Sequence, residues 1–102
     1  MVKARWLDPG IREAVLLLRD AGFETSDSGD GRSKPPAGIA YPFPHVIATT
    51  TKAQLLDEAD RMLATLTAHP CGIKGWVVEA IYSTRDGCVL FAKGKPLGPV
   101  QR

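Results

Sequence analysis

The residues best suited to chemistry form a run of small polar side chains with two glycines and two cations. The run is Asp27-Ser28-Gly29-Asp30-Gly31-Arg32-Ser33-Lys34. Small residues and glycines let successive backbone N–H groups turn toward one point, which makes a concave anion site. The cations and serine hydroxyls would add donors for a phosphate, and the two carboxylates would accept hydrogen bonds from ribose hydroxyls or a base. The pattern predicts a loop over residues 27–36 that either binds a phosphate-bearing ligand or is a solvated connector.

The spacing within this run excludes two familiar loops. A Walker A loop has Gly-x-x-x-x-Gly-Lys-Ser/Thr leading into a helix, whereas here one residue separates the glycines and prolines follow. An EF-hand needs alternating oxygen ligands and a closing glutamate, which the run lacks.

Three ring-bearing residues follow the predicted loop at alternate positions: Tyr41, Phe43 and His45. Tyr41 and Phe43 either stack on a base or close the sheet edge. His45 either hydrogen-bonds a ligand or transfers a proton, or it is a strand-end histidine bonded to backbone. Together with residues 27–34, these three are the predicted ligand-binding residues.

The remaining candidate groups do not form a catalytic or metal site. Cys71, His69 and Cys88 offer no Cys-x-x-Cys pair and too few soft ligands for zinc. Cys71 falls in a predicted turn and Cys88 in a predicted strand, which does not favour a Cys-His nucleophile pair. Glu79 has no second carboxylate at a spacing suited to acid–base work. We therefore predict no catalytic residues, no metal and no cofactor.

Two helices are predicted from apolar periodicity. The first spans residues 9–21, with Asp8 as N-cap, proline at its first position, and Gly22 ending it. The second begins after Thr51, where Gln54 completes a capping box. Its predicted buried stripe is Leu55, Ala59, Met62, Leu63 and Leu66.

Four strands complete the expected element order. They are predicted over residues 23–26, 45–50, 76–83 and 88–92, with Phe23 in the core and Asp86-Gly87 in a hairpin turn. The resulting α-β-β-α-β-β order predicts an α+β fold: a mostly antiparallel four-stranded sheet with both helices on one face. We expect one domain over residues 1–93 and a flexible tail over 94–102.

The second face of this sheet is also expected to be apolar. Trp76, Val78, Ala80 and Tyr82 alternate with Val77, Glu79, Ile81 and Ser83, so both sides of the strand bear apolar side chains. Two helices leave little to cover a second face. We predict burial against another copy of the chain, the alternative being a monomer with some exposed apolar residues.

Composition narrows the function classes. The 102 residues are 44% hydrophobic and 24% charged, as in ordinary globular domains. Thirteen basic and eleven acidic residues leave a formal charge of +2, which does not favour bulk nucleic-acid binding. The longest apolar run covers residues 14–18, far short of a membrane span. Two cysteines and no signal-peptide pattern favour a reducing cytoplasm.

Several segments, in order, resemble short bacteriophage proteins. Their pattern is a helix ending in Leu-Arg-Asp-x-Gly-Phe, then Thr-x-Asp-Ser-Gly-Asp-Gly, here over residues 18–31. A Pro-His-Val strand and a helix like residues 55–63 follow, so the resemblance covers about residues 10–91. The chain thereby resembles the phage sponge proteins that block Thoeris immunity. This resemblance implies a homo-oligomer that sequesters cyclic ADP-ribose-type signals or cyclic oligonucleotides at subunit junctions, without cleaving them.

The functional hypothesis combines these observations. We expect a phage-encoded, non-enzymatic protein in the cytoplasm of the infected bacterium that sequesters a nucleotide second messenger. The alternative is a protein-binding inhibitor of a host defence complex, comparable to an anti-CRISPR protein.

Overall fold

The described residues form two helices and four strands in the predicted order. The computed structural model describes residues 9–31, 41–83 and 87–96. The elements are α1 (Arg12–Asp20), β1 (Glu24–Gly29), β2 (His45–Thr50), α2 (Leu55–Ala68), β3 (Val77–Ser83) and β4 (Gly87–Lys93). The α+β class and the α-β-β-α-β-β order are confirmed.

The four strands form one antiparallel sheet in the order β1-β2-β4-β3. Strands β1 and β3 are therefore the edges, and the chain crosses from β2 to β3 through α2. If β4 stood before α1, the element order would be β-α-β-β-α-β, so the topology is a circular permutation of the ferredoxin-like arrangement. Such a likeness concerns architecture alone.

Both helices pack on one face of the sheet, where the core lies. The sheet supplies Val46 and Ala48 from β2 and Leu90 and Ala92 from β4, all fully buried. The helices contribute the following fully or almost fully buried residues: Ala14, Val15 and Leu18 from α1, and Met62 and Leu66 from α2. Phe23 is buried beside them, as predicted. Burial of this apolar surface is the main force that holds the layers together.

Helix α1 begins at Arg12, three residues later than predicted. Residues 9–11 form a turn, and Ile11 occupies the N-cap position without a side-chain hydrogen bond. The Gly10 N–H instead donates to the Asp30 carboxylate at 3.2 Å. The predicted cap, Asp8, lies outside the described residues. Gly22 has φ +94°, as expected for a residue that ends a helix.

Helix α2 follows a turn in which half of the predicted capping box is present. The Gln54 N–H donates to Thr51 Oγ1 at 3.3 Å, while the Gln54 side chain contacts the same hydroxyl rather than the Thr51 backbone. The helix itself starts at Leu55. Leu63 is 37% exposed, so its place in the predicted stripe is wrong. The reason is the rotation of α2, which turns Met62 and Leu66 toward the sheet.

Strand β1 corrects the prediction of a loop over residues 27–36. Asp27, Ser28 and Gly29 are strand residues that pair with β2. These residue types have low strand propensity, but β2 supplies a complete row of backbone partners. A bulge at Ser26 shifts the register between Thr25 and Asp27.

The last two strands form the predicted hairpin. Strands β3 and β4 pair from Val77↔Lys93 to Ser83↔Gly87, and the predicted turn residues 84–86 lie outside the described part. After β4, the Gly94 N–H donates to Pro44 O at 2.9 Å and the Lys95 N–H to Lys74 O at 2.8 Å. The expected flexible tail stays a prediction for the residues beyond 96.

Within the described residues, neither helix has the length and apolar character needed to cross a bilayer.

Candidate functional site

The sheet face opposite the helices has a defined pattern of side chains. Because β2 buries Val46 and Ala48 under the helices, its alternate residues His45, Ile47 and Thr49 face the other way. The strand register extends this pattern into three rows, written in sheet order. They are Gly29–His45–Lys93–Val77, Asp27–Ile47–Phe91–Glu79 and Glu24–Thr49–Val89–Ile81. We call this surface the open face.

Four rings gather on the open face: Tyr41, Phe43, His45 and Phe91, which we call the aromatic cluster. The Tyr41 ring centroid lies 4.8 Å from that of His45 and 5.6 Å from that of Phe91, both in edge-on geometry. Phe43 lies 5.4 Å from Tyr41 and 6.4 Å from Phe91. These separations fall in the range where aromatic pairs attract. The chain thus covers part of its own second face.

His45 lies beneath the other rings of the cluster. It is only 5% exposed, and its Nδ1 lies 3.3 Å from the Phe43 carbonyl oxygen. Packing and this contact fix the ring orientation. Of the two hypotheses for His45, the backbone-bonded, buried histidine is the one that the structure displays.

Gly31 joins the end of β1 to the aromatic cluster. It has φ +79°, and a Cβ built on it would lie 2.6 Å from the backbone N, Cα and C atoms of Phe43. Only glycine combines this positive φ with so close a backbone approach. Gly31 and the segment 41–45 therefore meet at the cluster.

The other predicted ligand-binding residues do not lie together at one site. Asp27 is exposed on the open face, and its Oδ1 accepts a hydrogen bond from the Ser28 N–H at 2.9 Å. Ser28 pairs with Val46 and so takes the helix side. Asp30 is 2% exposed and binds the Gly10 N–H. Arg32, Ser33 and Lys34 lie outside the described residues.

The structure adds residues that the sequence-based prediction missed. Phe91 joins the cluster, and Lys93 is the β4 residue paired with His45. Lys93 Nζ lies 2.5 Å from Glu79 Oε1, with both side chains well exposed. A signal for Phe91 was present in the sequence of β4, where Val89, Phe91 and Lys93 alternate with the buried Cys88, Leu90 and Ala92. This alternation predicts on which face of the sheet Phe91 lies, but it does not predict which residues lie next to it.

Cys71 does not belong to this cluster, and its thiol has low nucleophilic reactivity. Burial, with a further contribution from the charge of Glu13, raises the pKa of the Cys71 thiol. The thiol therefore stays protonated at neutral pH, a poor state for a nucleophile. Among the described residues, no group of three or more His, Cys, Asp or Glu side chains is placed to hold a metal ion.

Comparison with known proteins found no family model, no curated protein and no solved structure that matches the chain.

Proposed function

We propose that the chain binds a nucleotide whose base stacks on the aromatic cluster. The observation that supports this most directly is the gathering of Tyr41, Phe43 and Phe91, all half-buried, on the sheet face opposite α1 and α2. Half-buried rings keep part of their surface available to a planar ligand. Stacking of a base on one aromatic side chain contributes about 1–3 kcal/mol.

Polar groups for the rest of a nucleotide lie in the same rows. Lys93 pairs with His45 at the border of the cluster, and its side chain is 39% exposed. A phosphate would compete with the Glu79 carboxylate for that ammonium. Asp27, in the row of Ile47 and Phe91, presents a carboxylate that accepts hydrogen bonds from ribose hydroxyls.

The proposed role is sequestration without cleavage. His45 is held in place by Phe43 and covered by rings, so it positions its neighbours and is poorly placed for proton transfer. A non-enzymatic sponge for a cyclic ADP-ribose-type or cyclic oligonucleotide messenger is the biological role that the resemblance to phage proteins suggests. That role, and the infected bacterial cytoplasm as its location, rest on the resemblance.

The two tyrosines provide a matched test. Tyr41 belongs to the cluster, whereas Tyr82 is 58% exposed on β3 and lies outside it. In calorimetric titrations with cyclic ADP-ribose isomers and cyclic dinucleotides, Tyr41→Ala should weaken binding about 5- to 150-fold, the equivalent of losing one stacked base. Tyr82→Ala should bind like the wild type.

The complexes formed in the same titration also show whether the bound nucleotide is cleaved. After heat denaturation of the complex, chromatography should recover the nucleotide intact. Equal binding by Tyr41→Ala and Tyr82→Ala would contradict the proposed site, and a cleaved nucleotide would contradict sequestration.

The alternative is a contact with a host defence protein through the open face. It is supported by the half-buried apolar residues Ile47, Val89 and Ile81, which continue beyond the aromatic cluster. A wild-type chain that is folded yet binds no nucleotide of the panel favours this alternative.

A further inference from the structure

We propose that the outer edge of β3 pairs with β3 of a second copy, which joins two four-stranded sheets into one continuous sheet. The pairing is antiparallel about a two-fold axis at Ala80. This inference concerns an edge of the sheet and does not depend on the proposed nucleotide site.

The two edges of the sheet differ sharply in how they resist pairing. Edge strand β1 is interrupted by the bulge at Ser26, ends in Gly29, and exposes the carboxylates of Glu24 and Asp27. Bulges and charges are the features that block edge-to-edge association. Edge strand β3 has the sequence Val-Val-Glu-Ala-Ile-Tyr-Ser and an unbroken register with β4 over all seven residues. It lacks a bulge, a proline and a lysine.

Strand β3 also exposes large apolar side chains near both of its ends. Val77 is 51% exposed and Tyr82 is 58% exposed, although both belong to a regular strand. Every second residue of an edge strand also leaves its N–H and C=O groups without a strand partner. A second strand would cover the apolar side chains and bond these backbone groups at once.

The single charge on β3 does not oppose pairing with itself. The Glu79 carboxylate is neutralised by Lys93, which lies on the inner strand β4 of the same chain. Lys52, from the segment before α2, lies with its Nζ 5.3 Å from the Tyr82 ring centroid. Two copies therefore meet along an edge with nearly balanced charge, which favours a second copy over a strongly charged peptide.

The sequence of β3 fixes the register of the pair. With Ala80 on the axis, all seven residues find partners and the helix-side residues of both copies stay on one side of the sheet. The pairs are Val77 with Ser83, Val78 with Tyr82, Glu79 with Ile81, and Ala80 with Ala80 of the partner. A shift that centres on Glu79 would place like charges opposite each other, which is destabilising.

The test compares two substitutions in one row of the open face. Ile81→Glu places a second carboxylate opposite the partner's Glu79 and should convert a dimer to a monomer. Val89→Glu adds the same charge one strand inward, in register with Ile81, and should leave the dimer intact. Sedimentation velocity over a concentration series measures both, and circular dichroism checks that each variant is folded.

Several results would overturn the proposal. One is a wild type that is monomeric at all concentrations. Another is a Val89→Glu variant that dissociates as readily as Ile81→Glu, which would indicate face-to-face association instead.

A cross-link supplies an independent measurement if Ile81→Glu does not fold. Ala80→Cys in a Cys71→Ser, Cys88→Ala background should oxidise to a disulfide-linked dimer, because paired residues at the axis lie within disulfide reach. Failure of that cross-link in a protein that sediments as a dimer would reject the register.

Discussion

Among individual residues, Asp30 and Gly31 are of types common in ligand-binding loops, yet here they make structural contacts just after β1. Asp30 is buried and accepts a hydrogen bond from Gly10 beside the start of α1. Gly31 lets the chain pass against the Phe43 backbone. Both were predicted to bind ligand directly. In the structure, Asp30 holds the turn before α1, and Gly31 packs against Phe43 of the aromatic cluster.

Gly31→Ala should therefore destabilise the fold more than Gly22→Ala. Both glycines have positive φ, but only the Cβ at position 31 meets backbone, at 2.6 Å, whereas the Cβ at position 22 meets nothing within 4 Å. We expect a loss of about 1 kcal/mol of unfolding free energy for Gly22→Ala and roughly 2–4 kcal/mol for Gly31→Ala.

Urea denaturation at equilibrium measures both losses. Equal losses would show that the close approach to Phe43 does not constrain position 31.

At the element scale, the rotation of α2 determines which of its leucines and methionines are in the core. Met62 and Leu66 are fully buried, Leu55 and Ala59 are partly buried, and Leu63 and Leu56 are exposed. Apolar residues on adjacent positions leave the direction of a helix face ambiguous by a large fraction of a turn. Contact with β3 and β4 settles that direction.

Met62→Ala and Leu63→Ala form a matched pair for this orientation. Met62→Ala creates a cavity at a fully buried site and should cost about 2–5 kcal/mol of unfolding free energy. Leu63→Ala removes a side chain that is 37% exposed and should cost less than about 1.5 kcal/mol. Urea midpoints at a common slope compare the two, and the reverse ranking would mean that α2 is rotated differently.

At the scale of the whole molecule, Arg61 connects the two helices and the start of β1. Its Nη1 donates to the Ala21 carbonyl oxygen at 2.7 Å, just beyond α1. Its guanidinium carbon lies 3.9 Å from the Phe23 ring centroid, and its Nε donates to Glu58 Oε2 at 2.5 Å. One side chain thus links α2 to the carbonyl that follows α1 and to a core aromatic ring.

The Glu58–Arg61 pair gives stability a pH dependence. The hydrogen bond from Arg61 is the main cause that lowers the pKa of Glu58; burial opposes it, and the charge of the guanidinium adds to it. A carboxyl with a lowered pKa in the folded state stabilises it above the unfolded-state pKa, and this stability is lost as the pH falls through the folded-state pKa. Because both side chains are partly exposed, solvent screening keeps the contribution small.

We therefore expect Glu58→Gln to lower the unfolding free energy by ~0.5 kcal/mol at neutral pH. The difference from the wild type should begin to shrink as the pH falls below the ordinary pKa of glutamate, about 4. It should disappear once the pH lies below the lowered pKa of Glu58 in the folded state. Asp60→Asn removes an exposed carboxylate from the same helix without touching the Arg61 pair and serves as the control. A Glu58→Gln difference that persists unchanged in acid would rule out the charge as its cause.

The candidate site was only partly predictable. Tyr41, Phe43 and His45 were chosen by residue type and spacing, and the structure brings these three together. Phe91 was missed because His45, whose ring it contacts, lies 46 positions away, and this contact depends on the β2–β4 pairing. The assignment of residues 27–29 to a loop was wrong because their local propensity was outweighed by pairing with β2.

The order and type of the elements could be predicted from sequence patterns, because those signals are local. Proline and glycine positions, apolar periodicity and the hairpin turn act over a few neighbouring residues. The strand order β1-β2-β4-β3, the rotation of α2 and the ring contacts on the open face became known from the folded chain. These depend on contacts between residues distant in the chain, whose energies no short window of sequence contains.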